Sequence, residues 1–237
     1  MTPRAGSRTT TLEVGFARAR ESVGRFNLGI FGPTGVGKST LLNALFGDEV
    51  AATGVGHPVT QKSHLYVRAD KLLGIFDTKG LEIGEEHSAV ISELRRFVER
   101  NRLGNISDQL HIAWYCFRAG SRRIQPGEEA FIRELGRLGI PTVIVITQTP
   151  VSPSGEIHED ALKLAHCIED MRLPVRGGIH FVNAKPDTFA GVPAYGLESL
   201  LEATYDLVPE GVRSALAAAQ RTSRELKHGE ALRAIDD

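Results

Sequence analysis

Residues 32–40 read Gly-Pro-Thr-Gly-Val-Gly-Lys-Ser-Thr, between the apolar run Phe26–Phe31 and the helix-like segment Leu-Leu-Asn-Ala-Leu-Phe. Gly32, Gly37, Lys38 and Ser39 satisfy the spacing G-x-x-x-x-G-K-[ST]. Glycines let a main chain curl until successive N–H groups point inward, and such a nest takes phosphate oxygens. A helix starting at the lysine adds the positive end of its dipole. In this pattern Lys38 reaches the β- and γ-phosphates of a nucleotide, and Ser39 offers a hydroxyl to Mg²⁺. The whole stretch Gly32, Pro33, Thr34, Gly35, Val36, Gly37, Lys38, Ser39 and Thr40 is therefore a candidate polyphosphate cradle.

Three further stretches carry candidate chemistry. In Leu-Leu-Gly-Ile-Phe-Asp-Thr-Lys-Gly, Asp77 stands at the carboxyl end of an apolar strand, where a carboxylate supporting Mg²⁺ belongs. Gly80 offers a main-chain N–H to a γ-phosphate and no side chain to block its approach. Thr147 and Gln148 follow the run Pro-Thr-Val-Ile-Val-Ile, and Asn183, Ala184 and Lys185 follow His-Phe-Val.

The elements that must position these groups follow from pattern. With 237 residues, 41% hydrophobic and 24% charged, the chain suits one sizeable core. A net charge of −1 gives no overall basic field for nucleic acid or anionic membrane. No apolar stretch reaches the ~18 residues of a membrane span. The first residues, Met-Thr-Pro-Arg-Ala-Gly-Ser-Arg, lack the apolar segment of a secretory signal; they read as a disordered tail, with a transit peptide as the alternative. Two cysteines without a C-x-x-C pairing, Cys116 and Cys167, fit a reducing cytoplasm.

Strands are expected over 26–31, 63–68, 72–76, 109–117, 141–147 and 178–183, the second and third forming an antiparallel hairpin. Helices are expected over 38–47, 87–102, 127–139, 158–171 and 195–208, with a short one inside residues 1–25 and a long Ala-rich one over 209–237. Residues 48–62 read as a loop. In the second of these helices Val90, Ile91, Leu94, Phe97 and Val98 share one face. Strands alternating with helices predict an α/β fold: a mostly parallel six-stranded sheet with helices on both faces.

The cradle, its following helix and Asp77-Thr-Lys-Gly80 resemble the translation-factor-type P-loop GTPases, the branch holding Era, TrmE and septin-like G domains. The run from His111 to Thr149 is similar to a bacterial and fungal subgroup of these domains. The resemblance implies a P-loop NTPase three-layer sandwich. It divides the chain into an N-terminal tail and short helix (1–25), a G domain (26–207) and a C-terminal helix (208–237). It implies GTP and GDP as ligands, Mg²⁺ as cofactor, and slow hydrolysis of GTP to GDP in a molecular switch whose segments are 48–62 and 77–88. Thr60, or less well Thr53, would complete a Mg²⁺ shell with Ser39 and Asp77, so that Lys38, Thr60 and Gly80 carry catalysis. Asn183, Ala184 and Lys185 match [SN]-A-K, whose middle N–H meets the guanine O6.

Two departures qualify that expectation. The guanine-reading [NT]-K-x-D is Thr147-Gln148-Thr149-Pro150 here, and proline has no side-chain acceptor. Losing that charge-assisted contact costs on the order of 2–4 kcal/mol of guanine preference. Ser152, Glu156 and Asp187 are candidates to replace it. Leu81 stands where Ras-like members have a water-orienting glutamine, which leaves a weakly hydrolysing scaffold or an ATP-using protein as alternatives. Arg118, Arg122 and Arg123 form a loop cluster that is either solvated or acts across a dimer. As partners the resemblance allows a homodimer through the switch regions or the C-terminal helix, while nothing in the sequence indicates nucleic acid or ribosome.

Some relatives hold K⁺ with an asparagine at the fourth position of the phosphate loop; Gly35 stands there in this chain. Turnover is expected to be equal in K⁺ and Na⁺ buffers, and a K⁺-specific gain of about tenfold, some 1.4 kcal/mol of barrier, would refute this.

Overall fold

Strict alternation along the central strands sorts the core into two faces. The computed structural model describes residues 24–47, 57–58, 65–77, 87–121, 123–152, 154–186 and 192–220. The strands are β1 (Phe26–Phe31), β2 (His57–Pro58), β3 (Leu65–Val67), β4 (Leu73–Asp77), β5 (Ile112–Arg118), β6 (Thr142–Thr147) and β7 (Ile179–Phe181). The helices are α1 (Lys38–Phe46), α2 (His87–Asn101), α3 (Pro126–Arg137), α4 (Glu159–Asp170), α5 (Leu197–Leu207) and α6 (210–220), with a 3₁₀ turn at Ile106–Asp108. Ile112, Trp114 and Cys116 of β5 and Val143 and Val145 of β6 join the core beneath α1, α5 and α6. The intervening Ala113, Tyr115, Phe117, Ile144 and Ile146 join the core beneath α2, α3 and α4. A period of two with both sets apolar is the signature of a sheet buried on both faces. The result is a three-layer α/β sandwich.

The strand order is β2-β3-β4-β1-β5-β6-β7. β4, β1, β5, β6 and β7 run parallel, while β3 pairs antiparallel with both β4 and β2. All six expected strands are present, and the expected hairpin is β3–β4. The addition is β2, inside the segment read as a loop: His57 faces Val67 and Pro58 faces Tyr66 across the sheet edge. Proline is tolerated there because an edge strand bonds on one side only. The expected helix within residues 1–25 falls outside the described residues.

β1 lies at the centre, with β4 and β5 on either side. Consecutive connections leave β1 in opposite directions, so a crevice opens beyond its carboxyl end, the place where open α/β sheets take ligands. Helix α1 starts there.

Helix α6 is part of the core rather than an appendage. Val212, Ala215, Leu216 and Ala219 have no exposed surface and pack in the cluster that holds Phe26, Leu28 and Trp114. Arg68, just past β3, ties it further. Its guanidinium pairs with Asp70 and donates to the carbonyls of Phe46 at the end of α1 (2.9 Å) and Ala219 of α6 (3.3 Å). Truncating a fully buried leucine costs about 2–5 kcal/mol through lost transfer energy and the cavity left behind. Leu216→Ala is therefore expected to lower the urea midpoint by that amount of stability, as strongly as a truncation at Leu28 in the central strand. A loss below 0.5 kcal/mol would show that α6 is dispensable to the core.

Candidate functional site

The loop between β1 and α1 is built from positive-φ glycines: Gly32 at 124°, Gly35 at 79° and Gly37 at 95°. Gly32 is sterically obligatory. A Cβ there would lie 2.2 Å from the carbonyl oxygen of Cys116 on neighbouring β5. Gly37 is the N-cap of α1 and makes no side-chain cap bond to the first turn, which holds no acidic residue. The Lys38 ammonium folds back over the loop and donates to the carbonyls of Gly32 (2.7 Å) and Pro33 (2.9 Å). Val36 is buried in the core, whereas Thr34, Gly35, Ser39 and Thr40 are exposed.

A second wall comes from the end of β6. Thr147 is buried, and its hydroxyl shares its proton between the carbonyls of Val36 in the loop and Phe117 of β5 (2.9 Å to the latter). Gln148 adopts φ 51°, rare for a non-glycine residue. Its amide Nε2 donates to the Gly35 carbonyl (3.0 Å). The alkyl part of Gln148 passes over Gly37, with Cγ 3.8 Å from where a Cβ of Gly37 would stand. Residues 147 and 148, found in sequence by motif spacing, are thus brought against the loop from more than a hundred positions away.

The third wall follows β7. Asn183 exchanges two main-chain hydrogen bonds with Tyr195 (3.1 and 3.0 Å), and Thr149 N–H donates to the Val182 carbonyl (3.3 Å). Ala184 packs against the core beside α5, and Lys185 is exposed. The residues after β6 and those after β7 therefore lie side by side.

Asp77 ends β4 opposite Ile30 of β1, one residue before the strand gives way to the loop. Its main chain thus reaches the same end of the sheet as Ser39 on the first turn of α1. A serine hydroxyl and an aspartate carboxylate are hard oxygen donors of the kind Mg²⁺ takes, so the donor set fits that ion. Thr60 and Gly80 lie outside the described residues, as do Thr53, Leu81, Arg122 and Asp187. Burial pushes the Cys116 thiol up to about 12, against the opposing influence of the Lys38 charge, so it is an inert member of the core.

The replacement acceptors suggested for guanine are placed differently. Ser152 Oγ accepts from Glu156 N–H (3.0 Å) and bonds Ser154 Oγ (2.7 Å), so its hydroxyl closes its own hairpin. Glu156 is exposed in that hairpin. The sequence reading missed Thr149 and Tyr195, whose contacts tie the second and third walls. No motif marks a hydroxyl that bonds a carbonyl 46 residues away.

Thr147→Val keeps the shape of the side chain and removes a donor shared by the buried carbonyls of Val36 and Phe117. A loss of about 1–3 kcal/mol in chemical denaturation is expected, because two buried carbonyls lose the bond this hydroxyl makes. An unchanged midpoint would mean that the hydroxyl is not what holds loop and strand together.

The comparisons with known proteins follow the same lines. Structural similarity extends to a probable GTP-binding protein engB (16% identity, TM-score 0.51, 76% of this chain and 97% of that one). It also extends to LeoA, a bacterial dynamin GTPase from ETEC (14%, 0.55, 94% of this chain and 42% of that one). Era, solved with MgGDPNP and nucleotides of 16S ribosomal RNA, is a third (18%, 0.51, 79% and 58%). This chain thus spans nearly all of the first and less than two thirds of the other two, and identities this low carry the fold alone. No curated protein matches the chain. Residues 27–148, just over half of the sequence, match the family model described as 50S ribosome-binding GTPase. That span runs from the central strand to Gln148 and takes in both the glycine loop and the wall that closes on it, and the chain belongs to that GTPase family.

Proposed function

We propose that this protein binds guanine nucleotides with Mg²⁺ and hydrolyses GTP to GDP slowly, acting as a cytoplasmic switch. The observation that carries the reading is the junction of two walls. Thr147 and Gln148 bond the carbonyls of Val36 and Gly35, so the wall suited to a base and the loop suited to phosphates form one surface.

In this reading the N–H groups of residues 34–39 and the Lys38 ammonium hold the β- and γ-phosphate oxygens. They stabilise the charge that develops as the bridging bond breaks. Ser39 and Asp77, with Thr60, would hold Mg²⁺, which when bound neutralises phosphate charge. Gly80 N–H would meet the γ-phosphate. Gln148 lays its alkyl chain along the base, and Ala184 N–H, flanked by Asn183 and Lys185, meets the guanine O6. Leu81 cannot hydrogen-bond a water, which is the reason to expect slow turnover. Residues 48–62 and 77–88 would respond to the γ-phosphate, and its loss would be the switching event. Membrane anchoring by a span has no support among the described residues, where no helix is long and apolar enough to cross.

Pro150 and the engaged Ser152 hydroxyl favour a second reading, in which the base is only loosely selected and ATP competes. Calorimetry of GDP, GTP, ADP and ATP with saturating Mg²⁺ decides between them. Guanine nucleotides are expected to bind about tenfold tighter than adenine nucleotides, the worth of one hydrogen bond to O6. Lys38→Ala should weaken binding by about 30-fold or more through loss of charged hydrogen bonds. Equal affinities would establish the ATP-using reading, and the absence of any binding would end both. A single-turnover rate equal to that of Lys38→Ala would make the protein a nucleotide-dependent scaffold.

A further inference from the structure

We propose that Tyr195 is a positioning residue for the nucleotide base, a bolt that holds the loop after β6 to the loop after β7. This rests on the reading that the base lies between Gln148 and Ala184. Tyr195 acts at two points. Its main chain exchanges N–H and C=O bonds with Asn183, the residue before Ala184. Its phenol reaches across and donates to the Thr149 carbonyl at 2.8 Å, the residue after Gln148. The hydroxyl is half-buried, and burial raises its pKa, so it stays a neutral donor through the physiological range.

The surroundings leave the ring little freedom. Gly196 follows at φ 77°, and a Cβ there would lie 2.1 Å from the Phe181 carbonyl oxygen, so the chain passes hard against the end of β7. Thr149 is fixed on its other sides as well. Its hydroxyl donates to the Ile146 carbonyl (2.7 Å), and its N–H donates to Val182. Between these anchors Gln148 is held in the left-handed region, a conformation that persists in a non-glycine residue only where the surroundings over-determine it. Among the described residues, the phenol is the side chain that reaches the Thr149 carbonyl from the β7 side. Without it, one of the anchors that hold Gln148 at φ 51° is lost, and its alkyl chain is held less firmly over Gly37. A residue with no contact to the nucleotide thereby sets the spacing of the slot the base enters.

The test uses the full chain with GDP and with inorganic pyrophosphate, each with saturating Mg²⁺. Tyr195→Phe removes one oxygen and keeps the ring. It is expected to weaken GDP binding about fivefold, the scale of one net hydrogen bond, and to leave pyrophosphate affinity within about twofold. In a Gln148→Ala background the same change is expected to cost less than about twofold, since Tyr195 acts through Gln148. Unchanged GDP affinity in Tyr195→Phe would overturn the proposal. So would an equal loss for GDP and pyrophosphate accompanied by a lowered melting temperature, the mark of a merely structural role, and so would full additivity with Gln148→Ala. Failure of the wild-type chain to bind GDP would instead remove the underlying reading, an outcome the wild-type titration reports before any variant is compared.

Discussion

Carbonyl oxygens in a tight main-chain curl need donors, and here the described partners come from two parts of the chain, the start of α1 and the end of β6. Lys38 serves Gly32 and Pro33, Gln148 serves Gly35, and Thr147 serves Val36. Leu41 N–H bonds the Gly37 carbonyl as the first turn of α1. A curl whose oxygens are drawn outward in this way is of the kind that turns N–H groups inward. Loop, lysine, β6 terminus and helix therefore form one hydrogen-bonded unit, and the wall after β6 is held by the same bonds that shape the glycine loop.

That unit needs a rigid frame, and the sheet supplies it. β1 and β5 are flanked on both sides by parallel neighbours and buried on both faces, so the start of the loop and the Cys116 carbonyl it brushes do not move apart. Trp114 adds a buried link from the same strand to α5, donating to Thr204 Oγ1 at 3.0 Å. Arg68 binds the end of α1 to α6. Helix α6 thus bears on the helix that begins at Lys38, although it lies about 170 residues later.

The base-side loops are weaker as a frame. They rest on a strand of three residues, β7, and on isolated bonds among Thr149, Val182, Asn183 and Tyr195. A departure from the guanine-reading pattern at Pro150 falls in this less constrained part. The glycine loop, by contrast, tolerates no departure at Gly32, where any side chain would meet main chain.

Local pattern alone determined the elements and the glycine loop. Period two in β5 and β6, apolar spacing in α2, and the G-x-x-x-x-G-K-S string are all contained within short windows, so the physics that reads them is local. The six strands, five central helices and residues 32–40 were legible for that reason. The short strand β2 was not, because two residues carry no periodicity and pair only where β3 presents an edge. What Thr147 does was equally hidden: its place in the motif says nothing of the Val36 and Phe117 carbonyls, on which the folded chain sets its hydroxyl. Tyr195 carried no signal at all, since a hydrogen bond to a main-chain oxygen places no demand on the identity of the residue that owns it. Only the folding of the sheet brought these partners within 3 Å of one another. Composition and spacing act through neighbours in sequence, whereas the walls of the site are made by neighbours in space.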